Sequence, residues 1–229
     1  GQRDRIGVLR VINKLDQDGK IDPSGFTNDD AETLAILGSM LGTAIESTRQ
    51  MEQINLLLAF AKEVTRHIGD IAAVYSAICR CACAILNADQ SGIVMCDPSD
   101  NTAVVEAQVR KRTDATGHTD YENQNVNTLP PVDLCESPLM KRLKTERRPI
   151  AVQDASSSEL LRSSRNLLRE QEIESILILP LIIQDEIVGT LGIDSLRSRR
   201  EFSEDEIQLA ELVASIGAQG IEAAQTFSA

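Results

Sequence analysis

The chain has 229 residues, 35 of them acidic and 23 basic, for a formal net charge of −12. That balance argues against a nucleic-acid-binding surface, which needs an electropositive footprint, and four Phe, two Tyr and no Trp leave little material for base or sugar stacking. With 42% hydrophobic and 25% charged residues the composition is that of a globular protein; no apolar run approaches the roughly 18 residues of a membrane span, and no signal-peptide pattern opens the sequence.

In chain order, IGVLRVINK reads as a strand and Thr27 as the N-cap of a helix whose first turn is acidic. No proline follows until well past residue 68. Leu34, Leu37, Leu41, Ala44, Thr48, Met51, Asn55 and Leu58 alternate gaps of three and four. This heptad seam predicts a helix of about 40 residues over 28–68, connecting two domains. One reading is a parallel dimer spine; the other is a helix packed on its own sheets. A second helix spans about 71–86 and carries Cys79, Cys81 and Cys83 as small buried thiols.

SGIVMC and AVVEAQV then read as strands flanking the turn-rich DPSDN. The polar, aperiodic segment 113–131 reads as a long loop or lid. Ser137-Pro138 opens a short helix over 138–146, PIAVQD is a strand, and 157–171 is a further polar helix. SILILPLII and IVGTLGID, joined by QDE, form an apolar hairpin at 175–194. Ser203 caps a final amphipathic helix with Ile207, Val213, Ile216 and Ile221 on its apolar stripe. Strands joined by short turns imply an α+β fold with a largely antiparallel sheet and helices on its faces.

The chain also repeats itself. Gly7, Leu9 and Val11 correspond to Gly189, Leu191 and Ile193; Phe26 and Phe202 then open an ungapped stretch in which Asp29 meets Asp205 and Ile45-Glu46 meets Ile221-Glu222. In this register Gln2, Arg3 and Asp4 fall on the hairpin turn of the second copy. Residues 1–50 are therefore expected to be the last strand and helix of a truncated first domain, and 65–229 a complete second one. The charge divides as −2 over residues 1–50 (six basic, eight acidic) and −10 over the rest (17 basic, 27 acidic).

ESPLMKRLKTERRPIAVQDASSSELL, IESILILPLIIQDEIVGTLGID and FSEDEIQLAELVASIGAQGIE together resemble the GAF domain, a small-molecule-sensing module of signalling proteins. The resemblance implies a six-stranded antiparallel sheet with terminal helices packed on one face and a ligand pocket on the other. A tandem pair joined by a long helix resembles the regulatory regions of cyclic-nucleotide phosphodiesterases and certain bacterial adenylyl cyclases. Cyclic-nucleotide-binding members carry Asn-Lys, a spacer, Phe, then Asp-Glu. The first copy has Asn13, Lys14, Phe26 and Asp30, with Ala31 in place of Glu; the second has Ser195-Leu196, Phe202 and Glu206, so the motif is absent there. A Lys14–Asp30 ion pair would fix the loop beside the ligand.

The resemblance places the segment after PIAVQD over the pocket, making Asp154, Ser156, Arg165 and Asn166 candidate ligand contacts, with Arg165 suited to an anion; the alternative for each is a surface polar helix. Cys96 is a further candidate pocket residue, and Cys96 with Cys135 the candidate pair for a redox-active site; the alternative is burial. No metal site is expected, because His67 and His118 are the only histidines and no C-x-x-C occurs. The basic clusters at 110–112, 141–148 and 197–200 read as solvated ion pairs. No cofactor is specified. The expectation is a non-enzymatic, cytoplasmic sensory module that binds a small molecule, forms a homodimer through the 28–68 and C-terminal helices, and controls an effector outside this chain. The alternatives are a cysteine-based redox-sensing or sulfoxide-reducing domain, and a dimerisation module without ligand.

Overall fold

The computed structural model describes residues 7–97, 102–127, 129 and 137–228, which fall into two units, Gly1–Asn55 and Leu56–Ala229. In the second unit β1 (Gln90–Asp97), β2 (Thr102–Thr113), β3 (Thr119–Asn123), β4 (Ile150–Val152), β5 (Ile173–Ile183) and β6 (Glu186–Leu196) form one sheet in the order β3-β2-β1-β6-β5-β4. Every pairing is antiparallel.

Alternation along the strands supplies two cores. Leu177, Leu179 and Leu181 on β5 and Leu191 and Ile193 on β6 face a helical layer of α2 (Ile71–Leu86) and α5 (Glu204–Ser228). Phe60 and Val64, from the end of the helix α1 (Asn28–Arg66), join that core. Ile176 and Ile178 face the other way, onto α3 (Pro138–Glu146), a 3-10 turn at Glu159–Ser164 and α4 (Arg165–Glu170). A Cβ placed at Gly220 of α5 would overlap the Val64 side chain. Glycine there is what lets α1 and α5 approach.

The helix ends follow the sequence signals. Asp70 accepts from the Ala73 N–H at the start of α2, and Ser137 from the Met140 N–H ahead of α3, with Pro138 in the first turn. Ser203 and Glu206 form a reciprocal capping box on α5: the Glu206 N–H donates to Ser203 Oγ at 3.3 Å and the Ser203 N–H to Glu206 Oε2 at 2.8 Å. The β5–β6 hairpin turns through Gln184 and Asp185, both left-handed, the two-residue geometry whose twist suits paired strands.

Three local expectations change. Segment 113–131 is not wholly loop: β3 pairs with β2 across a turn in which Asp114 Oδ1 accepts from the N–H groups of Thr116 and His118 and Gly117 takes a φ of 84°. Thr-Asp-Tyr-Glu-Asn carries one apolar residue, so an edge strand with this composition has no alternation to read. The helix expected over 157–171 is broken into the 3-10 turn and α4, with Leu161 outside helical geometry; the serines at 156–158 and 163–164 compete for backbone groups and weaken a continuous helix.

In the first unit, among the described residues, 7–14 make no strand pairing and an isolated bridge joins Leu15 to Ile21. A strand needs a neighbour for its backbone groups, and among the described residues only the Lys14 carbonyl finds one, accepting from the Asp22 N–H at 2.8 Å. The helix is as expected: α1 runs for 39 residues. Along it Leu37, Leu41 and Met51 of the seam, with Ile36, Met40 and Ile45, remain exposed.

Candidate functional site

A cavity of about 100 Å3 lies between the sheet and the α3–α4 cover. Val94, Val105, Ile173, Ile176 and Ile178 wall it from the strands; Leu139, Leu161, Leu167 and Leu168 close it from the cover, and Leu129 reaches it from the segment expected to be a lid. Two local features shape it. Ile93 pairs with Ala107 but Val94 pairs with Val105, so Glu106 is an extra residue on β2. This bulge reverses the alternation and turns Val105 into the cavity while Ala107 and Val109 face the helices. Gly92 and Gly192 are cross-strand partners and leave the floor without side chains. A Cβ at Gly192 would stand 3.5 Å from Ile176 Cδ1 and 3.6 Å from Asp194 Oδ1, inside the cavity at ordinary contact distance.

One charged side chain breaks this apolar lining. Asp194 is 5% exposed, and its Oδ2 accepts from Gln90 Nε2 at 3.0 Å. Gln90 Oε1 in turn accepts from Arg110 Nε at 3.1 Å. Because arginine only donates, this fixes the Gln90 amide with its NH2 toward Asp194. Oδ1 is buried and has no hydrogen-bond partner among the described residues. Burial pushes the Asp194 carboxyl up to about 7, with Asp89 adding to the rise, against the pull of the Gln90 hydrogen bond and the Arg110 charge. Sequence reasoning missed Asp194. Its signal was an acidic residue inside an apolar strand, directly after Ile193.

The residues expected over the pocket sit beside the cavity rather than in it. Asp154 is held in its own loop, accepting from Ser156 Oγ at 2.8 Å and pairing with Arg199 at 2.6 Å; its carboxyl lies below the usual range chiefly through the Ser156 bond. Ser156 and Arg165 come together with Arg169, Glu172 and Arg197 around an adjoining cleft of about 260 Å3 that shares Leu168 and Ile173 with the cavity. Arg165 Nη2 donates to the Ser158 carbonyl at 3.4 Å and pairs with the exposed Glu159 at 3.3 Å, while its Nε is buried without a hydrogen-bond partner among the described residues. Asn166 is exposed and lines neither space. Cys96 is half-buried against the apolar cluster behind the cover, and Cys135 lies outside the described residues. Cys79, Cys81 and Cys83 are buried thiols as expected, pushed well above the ordinary cysteine value by desolvation.

In the first unit Lys14 Nζ meets Asp30 Oδ2 at 2.6 Å, the expected pair. The Thr27 N–H and O–H also donate to Asp30, at 2.7 and 2.8 Å, and the Lys14 bond, then Thr27, hold that carboxyl at about 2. Asn13 takes a left-handed φ of 58°, and Phe26 is exposed. The second unit builds the same corner with other residues: Glu206 of the capping box pairs with Arg200, whose guanidinium also donates to the Leu86 carbonyl at 2.7 Å and lies over Phe202. Arg200 thereby ties the β6–α5 loop to the end of α2. A groove of about 620 Å3 in the first unit, between Gly7–Leu9 and α1 from Gly38 to Glu46, has Glu46 as its one ionisable lining residue.

A six-stranded antiparallel sheet with α2 and α5 on one face and a cavity under α3 and α4 on the other defines an α+β domain. Residues 69–222 match the GAF domain family, and the chain belongs to it. GAF domains are typical of sensory and regulatory modules in signalling proteins. Similar solved structures include the GAF domain of an Acinetobacter phosphoenolpyruvate-protein phosphotransferase, with a TM-score of 0.57 and 14% identity over 76% of this chain and 95% of that one. Residues 122 to 287 of a methyl-accepting chemotaxis protein give 0.57 and 18% over 74% and 99%. A GAF domain/HD domain protein from Geobacter sulfurreducens gives 0.53 and 18% over 69% and 96%. At these identities the likeness concerns the fold. No curated protein matches the chain. Among the described residues no helix is long and apolar enough to cross a membrane.

Proposed function

We propose that the chain is a non-enzymatic regulatory module that senses a small molecule in the cavity under α3 and α4 and passes the change to an effector outside this chain. The observation that carries this reading is the cavity itself: walled by apolar side chains from both layers, floored by two paired glycines, and lined by one ionisable group. The similar domains belong to proteins whose names place them in phosphotransfer and chemotaxis, in keeping with a regulatory role. Ligand binding would shift the population between two packings of the cover.

Its size favours a small ligand. About 100 Å3 is well below the roughly 300–1,000 Å3 typical of drug-sized sites, and a cyclic nucleotide exceeds it. The residues of the cyclic-nucleotide motif lie in the first unit, where Lys14 and Asp30 are paired. We read residues 1–50 as the strand and helix of a preceding copy in a tandem arrangement. The shared corner supports this: an N-terminal capping box whose acid pairs with a cation, Lys14–Asp30 in one copy and Arg200–Glu206 in the other. The exposed apolar seam of α1 supports a homodimer through that helix and α5, which sedimentation equilibrium tests; a monomer at high concentration rejects it. The redox alternative would rest on Cys96, which is half-buried, and on Cys135, which lies outside the described residues; the buried thiols Cys79, Cys81 and Cys83 do not bear on it.

The test is a thermal-shift screen of fragments of about five or six heavy atoms against the wild-type chain and Gly192→Ala. The variant adds a methyl at ordinary contact distance, narrowing the cavity floor without a clash. Fragments should raise the wild-type Tm and lose their effect on the variant, while millimolar cyclic AMP and cyclic GMP leave both unchanged. Equal shifts in both proteins would reject the cavity as the site.

A further inference from the structure

We infer that the cavity selects a small organic amine, its ammonium group received by the free oxygen of Asp194 and its apolar body by the leucine and isoleucine walls. This rests on the sensor reading and names its ligand class.

The argument starts from the unpartnered oxygen. Asp194 is enclosed at the junction of three strands, its residue paired with Gln90 on β1 and Ile176 on β5. Gln90, oriented by Arg110, satisfies Oδ2 and leaves Oδ1 facing the space over Gly192. A buried carboxylate oxygen without a donor is costly, and so is the protonated form, whose hydroxyl would also lack a partner. A ligand that brings a donor resolves either state. A neutral donor supplies the hydrogen bond alone; an ammonium also supplies a counter-charge in direct contact, where Arg110 acts only from beyond Gln90.

The charged groups near Asp194 leave room for that cation. Arg110 reaches Gln90 rather than Asp194. Asp89, whose carboxylate accepts from the Leu196 N–H, adds negative potential. On the helix side the nearest titratable groups are the buried thiols Cys79 and Cys83. Asp194 is the one ionisable residue among those lining the cavity, and the remaining polar lining, Gln108, Ser164, Gln171 and Thr190, is neutral. The net charge of −12 draws cations toward the molecule. An apolar cavity of about 150 Å3 accepts benzene, so about 100 Å3 suits a body of four or five carbons.

Isobutylamine and isobutanol have the same shape and differ in charge. Each is titrated into the full chain at pH 7.5, wild type and Asp194→Asn, following the methyl NMR signals of Val94, Leu161, Leu168 and Ile176. Isobutylamine should shift these methyls in the wild type, and Asp194→Asn should weaken it by about tenfold or more; isobutanol should bind more weakly and equally to both proteins. Equal affinity for amine and alcohol in the wild type would overturn the amine assignment and leave the cavity as a binding site. Amine binding that moves none of these methyls overturns it as well. If neither compound moves them, the amine assignment falls, and the fragment screen decides the sensor reading separately. The wild-type contrast decides alone if Asp194→Asn does not fold.

Discussion

Asp194→Asn offers a sharp physical test, because one buried group governs it. The carboxyl moves from 3.8 to about 7 on folding. Between those values the folded state keeps a proton that the unfolded state has lost, so stability falls as pH rises through the window and the loss is complete above pH 7. At about 1.4 kcal/mol per pH unit the whole effect is about 4 kcal/mol, of which about 3 kcal/mol develops between pH 5 and 8.5. The carboxylates held low, such as Asp114 and Asp154, do the opposite: their stabilisation is lost only as pH drops below the ordinary aspartate value, outside this window. Asparagine keeps an acceptor for Gln90 and removes the titration; any cost of its imperfect hydrogen bonding, about 1–3 kcal/mol, is the same at every pH. Urea unfolding of both proteins, followed by far-ultraviolet circular dichroism, should therefore show the wild type losing about 3 kcal/mol against the variant from pH 5 to 8.5. That corresponds to about 6–12 °C in Tm for a chain of this size. Parallel pH curves for the two proteins would refute the burial argument.

Other outcomes follow from the packing and the charges. Gly220→Ala should destabilise by about 1–3 kcal/mol, because its methyl meets Val64; Val64→Ala in the same chain should recover part of that loss, and additive costs in denaturant unfolding would place the two side chains apart. A thiol probe at pH 8 should leave Cys79, Cys81 and Cys83 unlabelled in the native protein, since burial holds each far above that pH; rapid labelling at any of them, located by mass spectrometry, would contradict their placement. Lys14→Met should let the Asp30 carboxyl rise from about 2 toward the ordinary value but remain below it, because the Thr27 donors stay; carbon NMR titration reads this, and an unchanged value would mean that Lys14 does not act on it.

The elements were legible wherever local chemistry alone fixes them. Ser137-Pro138, Ser203 with Glu206, and the apolar runs either side of Gln184-Asp185 each encode a helix start or a hairpin within a few residues. What escaped depends on pairing. The polar strand β3 exists because β2 lies beside it, and the bulge at Glu106 that turns Val105 inward is a matter of register. The cavity itself arises where Gly92 and Gly192, 100 positions apart, meet across two strands. Placing the ligand contacts on the segment after β4 located the cover but chose its polar residues, Asp154, Ser156, Arg165 and Asn166. Its leucines line the cavity, and the one acid among the lining residues, Asp194, stands on the opposite wall. The basic run 197–200 was legible only as ion pairs; Arg197 and Arg199 fit that reading, whereas Arg200 also braces the β6–α5 corner.

The central claim is that the space between the sheet and the α3–α4 cover is where this domain receives its ligand. A small-fragment screen on the methyl-labelled chain, mapped residue by residue, tests it most directly. Binders should shift Val94, Leu161, Leu168, Ile176 and Ile178 together. Binders that consistently shift other surfaces while these five stay still would contradict it.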